Sequence, residues 1–220
     1  MSISKNLNSI KSQLPEHVTL VAVSKTKPVS ALMEAYQAGQ RIFGENKIQE
    51  MVEKHEQMPK DIQWHMIGHV QRNKVKYMAS FVSLIHGVEN FKTLKEINKQ
   101  AKKHNRVIDC LIQIKIASED SKFGMSTNDA SDILQSNEFS ELKNMNVVGV
   151  MGMATFTDNQ EQIKKEFTQL KTTFNQLKPL HSELDIISMG MSGDYQLAID
   201  CGSNMIRVGS SIFGERNYKQ

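Results

Sequence analysis

The sequence has few of the features by which secreted, membrane and disulfide-bonded proteins are recognised. Its 220 residues include only two cysteines, Cys110 and Cys201, which lie far apart and outside any C-x-x-C pair. Cys110 falls within an apolar run, so a buried, reduced thiol is expected there rather than a disulfide. Residues 1–6 lack the apolar core of a signal peptide, and no apolar run approaches the length of a membrane span. These absences predict a cytoplasmic protein without a membrane partner.

The signals of nucleic-acid, nucleotide and metal binding are also missing. The net charge is only +3, and nine Phe, four Tyr and one Trp form no aromatic-rich basic stripe, so no nucleic-acid partner is expected. Neither G-x-x-x-x-G-K nor G-x-G-x-x-G follows the first predicted strand, which leaves no anchor for a nucleotide. His65 and His69 are four residues apart, but Gly68 would break a helix between them and the carboxylate of H-E-x-x-H is absent. No zinc site is therefore predicted.

Eight short runs of β-branched and aliphatic residues predict eight strands. They cover residues 18–23, 41–44, 62–67, 81–86, 108–116, 147–153, 184–189 and 205–209. Between them lie segments with the spacing of helices, among them 90–104, 127–136 and a long one near 159–178. Strands that alternate with helices in this way imply a parallel sheet.

The number of strands decides between two parallel architectures. Eight strands in 220 residues favour a closed TIM-type (β/α)8 barrel over an open doubly wound sheet. A hydrophobic content of 39% and a charged fraction of 23% suit one globular domain spanning residues 1–220. Leu7, Ile10 and Leu14 have helical spacing and predict an extra N-terminal helix on the outside of the barrel. The predicted fold class is therefore α/β, a single-domain barrel with one additional helix.

Two lysines, Lys25 and Lys27, closely follow the first predicted strand. A lysine beside an apolar strand loses part of the hydration of its ammonium group, which frees the amine to form an imine with an aldehyde. Pro28 indicates that the chain is already turning outward at Lys27, which favours Lys25. The same residues allow the plainer interpretation that both are surface lysines at the end of a strand.

Small residues near the last two predicted strands favour phosphate binding. Ser192 is predicted to be the N-cap of a short helix, where the N–H groups of Gly193 and Asp194 would face an anion. Gly209 lets the backbone approach a phosphate closely, and Ser210 adds a hydroxyl and an N–H group. Both turns follow strands 7 and 8, which is where TIM barrels often hold phosphate. Each turn alone is equally compatible with an ordinary helix start or a tight turn.

Arg207 lies inside the last predicted strand, where a charged side chain has to face the barrel interior or a partner. A reactive lysine, phosphate-binding turns and a buried arginine together suit an aldehyde-bearing phosphate cofactor, and pyridoxal 5′-phosphate (PLP) is the leading hypothesis. Arg207 would then donate to the pyridine nitrogen, keep it unprotonated and weaken the ring as an electron sink. That pairing argues against demanding carbanion chemistry.

Several segments together resemble the pyridoxal phosphate homeostasis protein family. The similarity runs in order over nearly the whole chain, in residues 21–28 (VAVSKTKP), 43–46 (FGEN) with 49–50 (QE), 65–68 (HMIG) with 71–74 (QRNK), 121–124 (SKFG), 188–194 (SMGMSGD) and 206–216 (IRVGSSIFGER).

The resemblance implies a barrel similar to the N-terminal domain of alanine racemase. It implies a set of cofactor-binding residues on one face: Lys25, Asn46, His65, Ser192, Arg207, Gly209 and Ser210. Lys25 would carry PLP as an internal aldimine (a Schiff base), Arg207 would lie near the pyridine nitrogen, and the two turns would surround the phosphate. Asn46 and His65 would line the same face. Family members are viewed as PLP carriers or as regulators of vitamin B6 and amino-acid pools without an established reaction, so no catalytic residue is predicted.

Three residues depart from the family pattern and add positive charge near the barrel mouth. Lys115 stands where the family usually has asparagine, and His69 and Arg72 replace small or apolar types. They are expected to alter ligand exchange or partner choice without changing the cofactor.

The main alternative to a non-catalytic PLP protein is a PLP-dependent amino-acid racemase. Two-base racemisation needs a second proton carrier on the opposite face of the ring. Alanine racemases take a tyrosine from an added C-terminal domain, whereas this chain stops at Gln220 soon after the eighth strand. Tyr36, Tyr77, Tyr195 and Tyr218 are poor substitutes by position, so the racemase is expected to be the lesser hypothesis.

A third hypothesis is an interaction protein whose bound PLP acts as a signal. The residues do not separate signalling from buffering or delivery of the cofactor to PLP-dependent enzymes. No long exposed apolar stripe demands assembly, so a monomer is expected.

Overall fold

Eight parallel strands close into a barrel within residues 2–119 and 123–215, the part of the chain that the computed structural model describes. The strands are β1 Thr19–Val23, β2 Ile42–Glu45, β3 Gln63–Met66, β4 Leu84–Val88, β5 Ile108–Gln113, β6 Met145–Met151, β7 Ile186–Ser188 and β8 Met205–Val208. They follow one another around the barrel in chain order, and β8 closes it by pairing with β1, where Ile206 lies opposite Leu20. The predicted (β/α)8 barrel is confirmed.

Helices surround the barrel on its outside. Those in the described ranges are α1 Ile3–Lys11, α2 Val29–Gln37, α3 Ile48–Gln57, α4 Val75–Met78, α5 Phe91–Lys103, α6 Thr127–Gln135, α7 Asn137–Ser140, α8 Gln160–Leu177, α9 Tyr195–Asp200 and α10 Ser210–Phe213. A 3-10 turn at Arg72–Lys74 precedes α4. Helix α1 is the predicted extra helix, and it packs against α2 and α10 with Leu7 and Ile10 buried.

Local sequence signals account for several helix ends. The Asn90 side chain accepts a hydrogen bond from the Thr93 N–H and caps α5. Ser126 and Asp129 form a reciprocal capping box at the start of α6. Gly39, with φ of +85°, follows α2 in the left-handed conformation that commonly ends helices.

Side-chain alternation divides the apolar residues into two cores. One small cluster fills the barrel interior and includes Val21, Leu111 and Met151. The larger cluster, with Phe43 and Trp64, packs between the strands and the helices. Since strands of a parallel barrel are buried on both faces, they are nearly continuous apolar runs in the sequence. Polar residues at inward positions are therefore exceptions that need a partner.

The predicted strands differ from the observed ones by one to three residues in their bounds, most clearly the fourth, fifth and sixth. Residues 81–86 were expected to form the fourth strand, but the Val82 N–H bonds to the Met78 carbonyl in the turn that ends α4, and β4 begins at Leu84. Strand β5 ends at Gln113 rather than at residue 116. Strand β6 lies two residues earlier than predicted. The short helices α4, α7 and α10 were not predicted, because segments of four residues carry little periodic signal.

Cys110 lies buried in β5, as expected, and burial raises the pKa of its thiol. Within the described ranges, no helix combines the length and the apolar character needed to cross a membrane.

Candidate functional site

A cavity of about 1120 Å³ opens at the carboxyl-terminal ends of the strands. Six of the seven residues predicted to bind the cofactor line it, namely Lys25, Asn46, Ser192, Arg207, Gly209 and Ser210. They meet because all parallel strands of a barrel end at one face. Among the described lining residues, lysine and arginine outnumber the carboxylates, which are Asp158 and Asp194. The cavity therefore favours an anionic ligand.

Lys25 lies in a tight turn just beyond β1. The Ser24 carbonyl accepts a hydrogen bond from the Lys27 N–H at 3.1 Å, and Thr26 between them has φ of +64°. Lys25 is half-buried at the cavity wall.

Lys27 binds the end of helix α10. Its Nζ donates to three backbone carbonyls at the end of α10, those of Phe213 at 3.0 Å, Gly214 at 2.9 Å and Glu215 at 2.8 Å. Lysine side chains commonly satisfy the last carbonyls of a helix in this way. Although Lys27 also borders the cavity, its ammonium group stabilises the fold.

Ser192 is not the helix N-cap that the sequence predicts. Helix α9 begins three residues later, at Tyr195, and its cap position is Asp194. The Ser192 Oγ accepts a hydrogen bond from the Gly209 N–H at 3.1 Å. Ser192 therefore binds the turn after β8 instead of capping α9. This hydrogen bond joins the turns after β7 and β8 to each other.

Arg207 faces the barrel interior and is fixed by two hydrogen bonds. One terminal nitrogen, Nη1, donates to Ser188 Oγ at 2.5 Å, and Nη2 donates to the Gly152 carbonyl at 3.0 Å. Burial lowers the pKa of Arg207 to about 10. The side chain therefore remains charged at neutral pH and still borders the cavity.

Below Arg207, two histidines continue the hydrogen-bond chain. His86 Nδ1 lies 3.0 Å from Ser188 Oγ, and its Nε2 lies 3.0 Å from His65 Nδ1. Because Ser188 accepts from Arg207, we assign its hydroxyl proton to the bond with His86 Nδ1, which makes His86 Nε2 the donor to His65. Burial lowers the pKa of His65 to about 3 and that of His86 well below its usual range, so both rings are neutral.

His65 was expected to line the same face as Asn46, and it does not. The residue is 3% exposed and lies within the barrel beneath the lining residues. Because His65 precedes the end of β3, its side chain reaches the interior layer rather than the mouth, and its contact with the ligand stays a prediction. Ser188 and His86 were missed, although each is a polar residue at an inward position of an apolar strand.

The three residues that differ from the family pattern, His69, Arg72 and Lys115, lie in different parts of the structure. His69 lines the cavity, with Nδ1 3.1 Å from Glu89 and its ring stacked on Phe123 at 4.8 Å between centroids. Lys115 lines a separate depression of about 630 Å³, and Arg72 lies exposed on the 3-10 turn. Of the three, His69 alone borders the described cavity. Ser121, Lys122, Arg216 and Tyr218 lie outside the described residues.

Among the described residues, no group of three or more His, Cys, Asp or Glu side chains is placed to hold a metal ion. His65 and His69 bind different partners, His86 and Glu89 respectively.

Known proteins are similar to this chain in sequence and in fold. The family model for the N-terminal domain of alanine racemase matches residues 1–217. The pyridoxal phosphate homeostasis protein of Vibrio alginolyticus is 38% identical over 232 residues, which cover 99% of each chain. PipY of Synechococcus elongatus PCC7942, solved without PLP and with PLP bound, is 33% identical, with TM-scores of 0.91 and 0.88 over 96% of this chain and 100% of that one. Alanine racemase of Clostridium difficile 630 is similar in fold, with 17% identity and a TM-score of 0.81 over 61% of its length.

Proposed function

Because this chain belongs to the pyridoxal phosphate homeostasis protein family, we propose that it binds PLP in the cavity at the barrel mouth and acts in intracellular vitamin B6 homeostasis. One observation carries the proposal. A single cavity is lined by a lysine, a buried charged arginine and two turns rich in serine and glycine. The donor set fits the ligand, since an amine suits its aldehyde and the cationic wall and turns suit its phosphate.

Lys25 is the proposed attachment point. PLP supplies an aldehyde that condenses with a primary amine, forming a C=N bond and releasing one water molecule. Lys25 supports this role because it lies in the turn at the cavity wall, whereas the Lys27 ammonium donates to the carbonyls that end α10. The Lys25 amine would have to be unprotonated to attack the aldehyde.

The two turns would hold the phosphate group. Ser192 and Gly209 are already joined by a hydrogen bond, so the two turns present a preformed surface with Ser210 beside it. Preformed backbone and hydroxyl donors bind anions without reordering cost. Asn46 is proposed to contact the ligand from the end of β2. His65 is proposed to act only through the buried chain that ends at Arg207.

Arg207 would meet the pyridine nitrogen. Its guanidinium group is charged and fixed by Ser188 and Gly152, so it would donate a hydrogen bond to that nitrogen and keep it unprotonated. An arginine partner weakens the ring as an electron sink. This supports a protein that carries PLP without a robust catalytic reaction, in keeping with the homeostasis role in its relatives' names.

Delivery to other proteins is part of the proposal. PLP-dependent enzymes are the proposed recipients, and exposed aromatic side chains at the cavity mouth, Phe123 and Phe156, support contact with them. The proposed state is a monomer. The proposed location is the cytoplasm, which the free Cys110 and Cys201 support because thiols remain reduced there.

The test compares two lysine variants that keep the charge. Lys25→Arg is expected to abolish the borohydride-reducible adduct, seen as loss of the visible absorption band and of a labelled peptide. Weak PLP binding through the phosphate turns should remain. Lys27→Arg is the matched control, because a guanidinium group can still donate to the α10 carbonyls, and it should keep the adduct. An adduct that maps to any residue other than Lys25 would refute the assignment.

A second measurement separates carrier from racemase. The loaded protein is incubated with L-alanine in deuterated water, and exchange of the α-proton is followed. No exchange above that of free PLP is expected. Sustained exchange that is lost in Lys25→Arg would refute the carrier hypothesis in favour of the racemase hypothesis.

A further inference from the structure

A buried group of three charged side chains packs against the turn that carries Lys25. Lys54 Nζ lies 2.8 Å from Glu45 Oε1 and 2.7 Å from Glu50 Oε1, and we call these three residues the ion cluster. Side-chain exposure is 7% for Lys54, none for Glu45 and 21% for Glu50. Ser24 Oγ donates to the same Glu45 oxygen at 2.6 Å, and the other Glu45 oxygen is buried without a hydrogen-bond partner. Because burying charges is costly, stability alone is a poor explanation for the ion cluster.

The ion cluster holds both peptide groups that flank the α-carbon of Lys25. On one side, the Ser24 carbonyl accepts a hydrogen bond from Lys54 Nζ at 2.8 Å. On the other side, the Thr26 N–H donates to Glu50 Oε1 at 2.5 Å. These two peptide planes set the direction of the Cα–Cβ bond of Lys25. The ion cluster therefore sets where the lysine side chain begins.

Thr26 shows that the turn depends on this support. Its φ of +64° lies in the left-handed region, which β-branched residues rarely adopt. Residues 24–27 form a turn in which glycine is preferred at the Thr26 position. The hydrogen bond to Glu50 compensates for the strain. Without it, the turn would relax and carry Lys25 with it.

We propose that the ion cluster is a positioning device for Lys25, aiming its amine into the cavity at the angle that attachment of PLP requires. The inference rests on the proposed function, and it adds residues that do not themselves touch the ligand. Glu45 and Lys54 hold the end of β1, and Glu50 holds the residue after the lysine. A misaligned amine reacts slowly even when the ligand is bound, because effective concentration depends on geometry.

The test first removes the hydrogen bond from the Thr26 N–H to Glu50, and then removes the backbone strain at Thr26 that this bond offsets. Ligand-free protein is mixed with PLP, and the absorption of the covalent adduct is followed at rising ligand concentration. This separates the dissociation constant of the first, non-covalent complex from the rate constant of attachment. Glu50→Ala is expected to lower the rate constant about ten- to a hundredfold. The dissociation constant should stay within about twofold of the wild-type value, because the phosphate turns are untouched.

Thr26→Gly is the rescue variant, since glycine adopts positive φ without strain. The double variant Thr26→Gly/Glu50→Ala should return the rate constant to within about threefold of the wild-type value. Glu53→Ala on the exposed face of the same helix is the matched control and should change neither constant. A merely structural role for Glu50 would not be reversed by a substitution in the turn. If Glu50→Ala fails to fold, Glu50→Asp keeps the charge but shortens the reach, and it should show the same slow attachment and the same rescue.

The outcomes separate the two proposals. Wild-type protein that forms no adduct at Lys25 would overturn the proposed function and this inference with it. Wild-type protein that forms the adduct while Glu50→Ala attaches PLP equally fast would overturn the inference alone. Slow attachment without rescue by Thr26→Gly would also overturn it.

Discussion

Ser188→Ala probes the buried chain that fixes Arg207 beneath the cavity. The Ser188 Oγ lies 2.5 Å from Arg207 Nη1 and 3.0 Å from His86 Nδ1, and the residue is fully buried. The substitution removes the oxygen that joins the two side chains. A charged N–H group and an imidazole nitrogen then lose their partner in the barrel interior.

The expected cost follows from these two losses. A hydrogen bond to a charged group contributes about 1.5–3 kcal/mol, and a buried polar group left without a partner costs about 1–3 kcal/mol. Arg207 keeps its hydrogen bond to the Gly152 carbonyl at 3.0 Å, so the guanidinium group retains one buried partner. We therefore expect Ser188→Ala to lower the free energy of unfolding by about 3 kcal/mol. Affinity for PLP should fall as well, since Arg207 loses its orientation.

Urea denaturation of the ligand-free protein measures the effect, with the fluorescence of the single, fully buried Trp64 as the probe. The matched control is Ser203→Ala. Ser203 is 2% exposed, but its hydroxyl lies near backbone carbonyls only, at 2.8 to 3.1 Å. It should cost about 1 kcal/mol and leave PLP affinity unchanged. Equal losses in the two serine variants, to within about 0.5 kcal/mol, would refute the role assigned to the chain.

Two further predictions concern acid stability and a close backbone contact. Burial lowers the pKa of His65 to about 3, below the value of 6.5 that it has when unfolded. The unfolded chain therefore binds an extra proton at His65 between these pH values, so His65 alone should lower the free energy of unfolding by about 1.4 kcal/mol per pH unit as pH drops below 6.5, and His86 adds a loss in the same direction. His65→Gln should flatten this part of the profile in urea titrations, and a slope parallel to that of the wild type would contradict the reasoning. A Cβ added at Gly68 would lie 2.5 Å from the Asn46 carbonyl oxygen, so Gly68→Ala should cost about 1–3 kcal/mol and displace a cavity wall. Gly193→Ala, where an added Cβ meets nothing within 4 Å, is its control for stability, and equal melting temperatures would count against the contact.

The fold could be predicted because its signals are local and repeated. Apolar runs recur between helical segments such as α8, whose buried stripe includes Phe167 and Leu170. Once a parallel barrel is expected, residues at strand ends must share one face. For this reason the sequence alone predicts that Lys25 shares one face with the turns at Ser192 and Gly209, whereas Asn46 was expected there only from the family resemblance.

The polar layer beneath the cavity could not be found in the same way. Ser188 and His86 are 102 positions apart in the chain, and their contact depends on which side of β4 and β7 faces inward. Ser192, in the turn after β7, likewise has a partner that local sequence does not predict. A local rule predicted a helix cap, but a partner 17 residues away, Gly209, makes the bond instead. Long-range partners decide these roles, and a single sequence carries no direct signal of them.

The two lysines after β1 show how contacts distant in sequence give neighbouring residues different roles. Lys25 and Lys27 lie two positions apart, and the neighbouring Pro28 favours Lys25 without predicting what Lys27 binds. The end of α10, some 186 residues further on, provides the carbonyls that bind the Lys27 ammonium group. The side chain of Glu50 holds the Thr26 N–H beside the other lysine. The proposed reactivity of Lys25 would therefore depend on the closed barrel, because closure brings β1 against β8 and places α10 beside the turn.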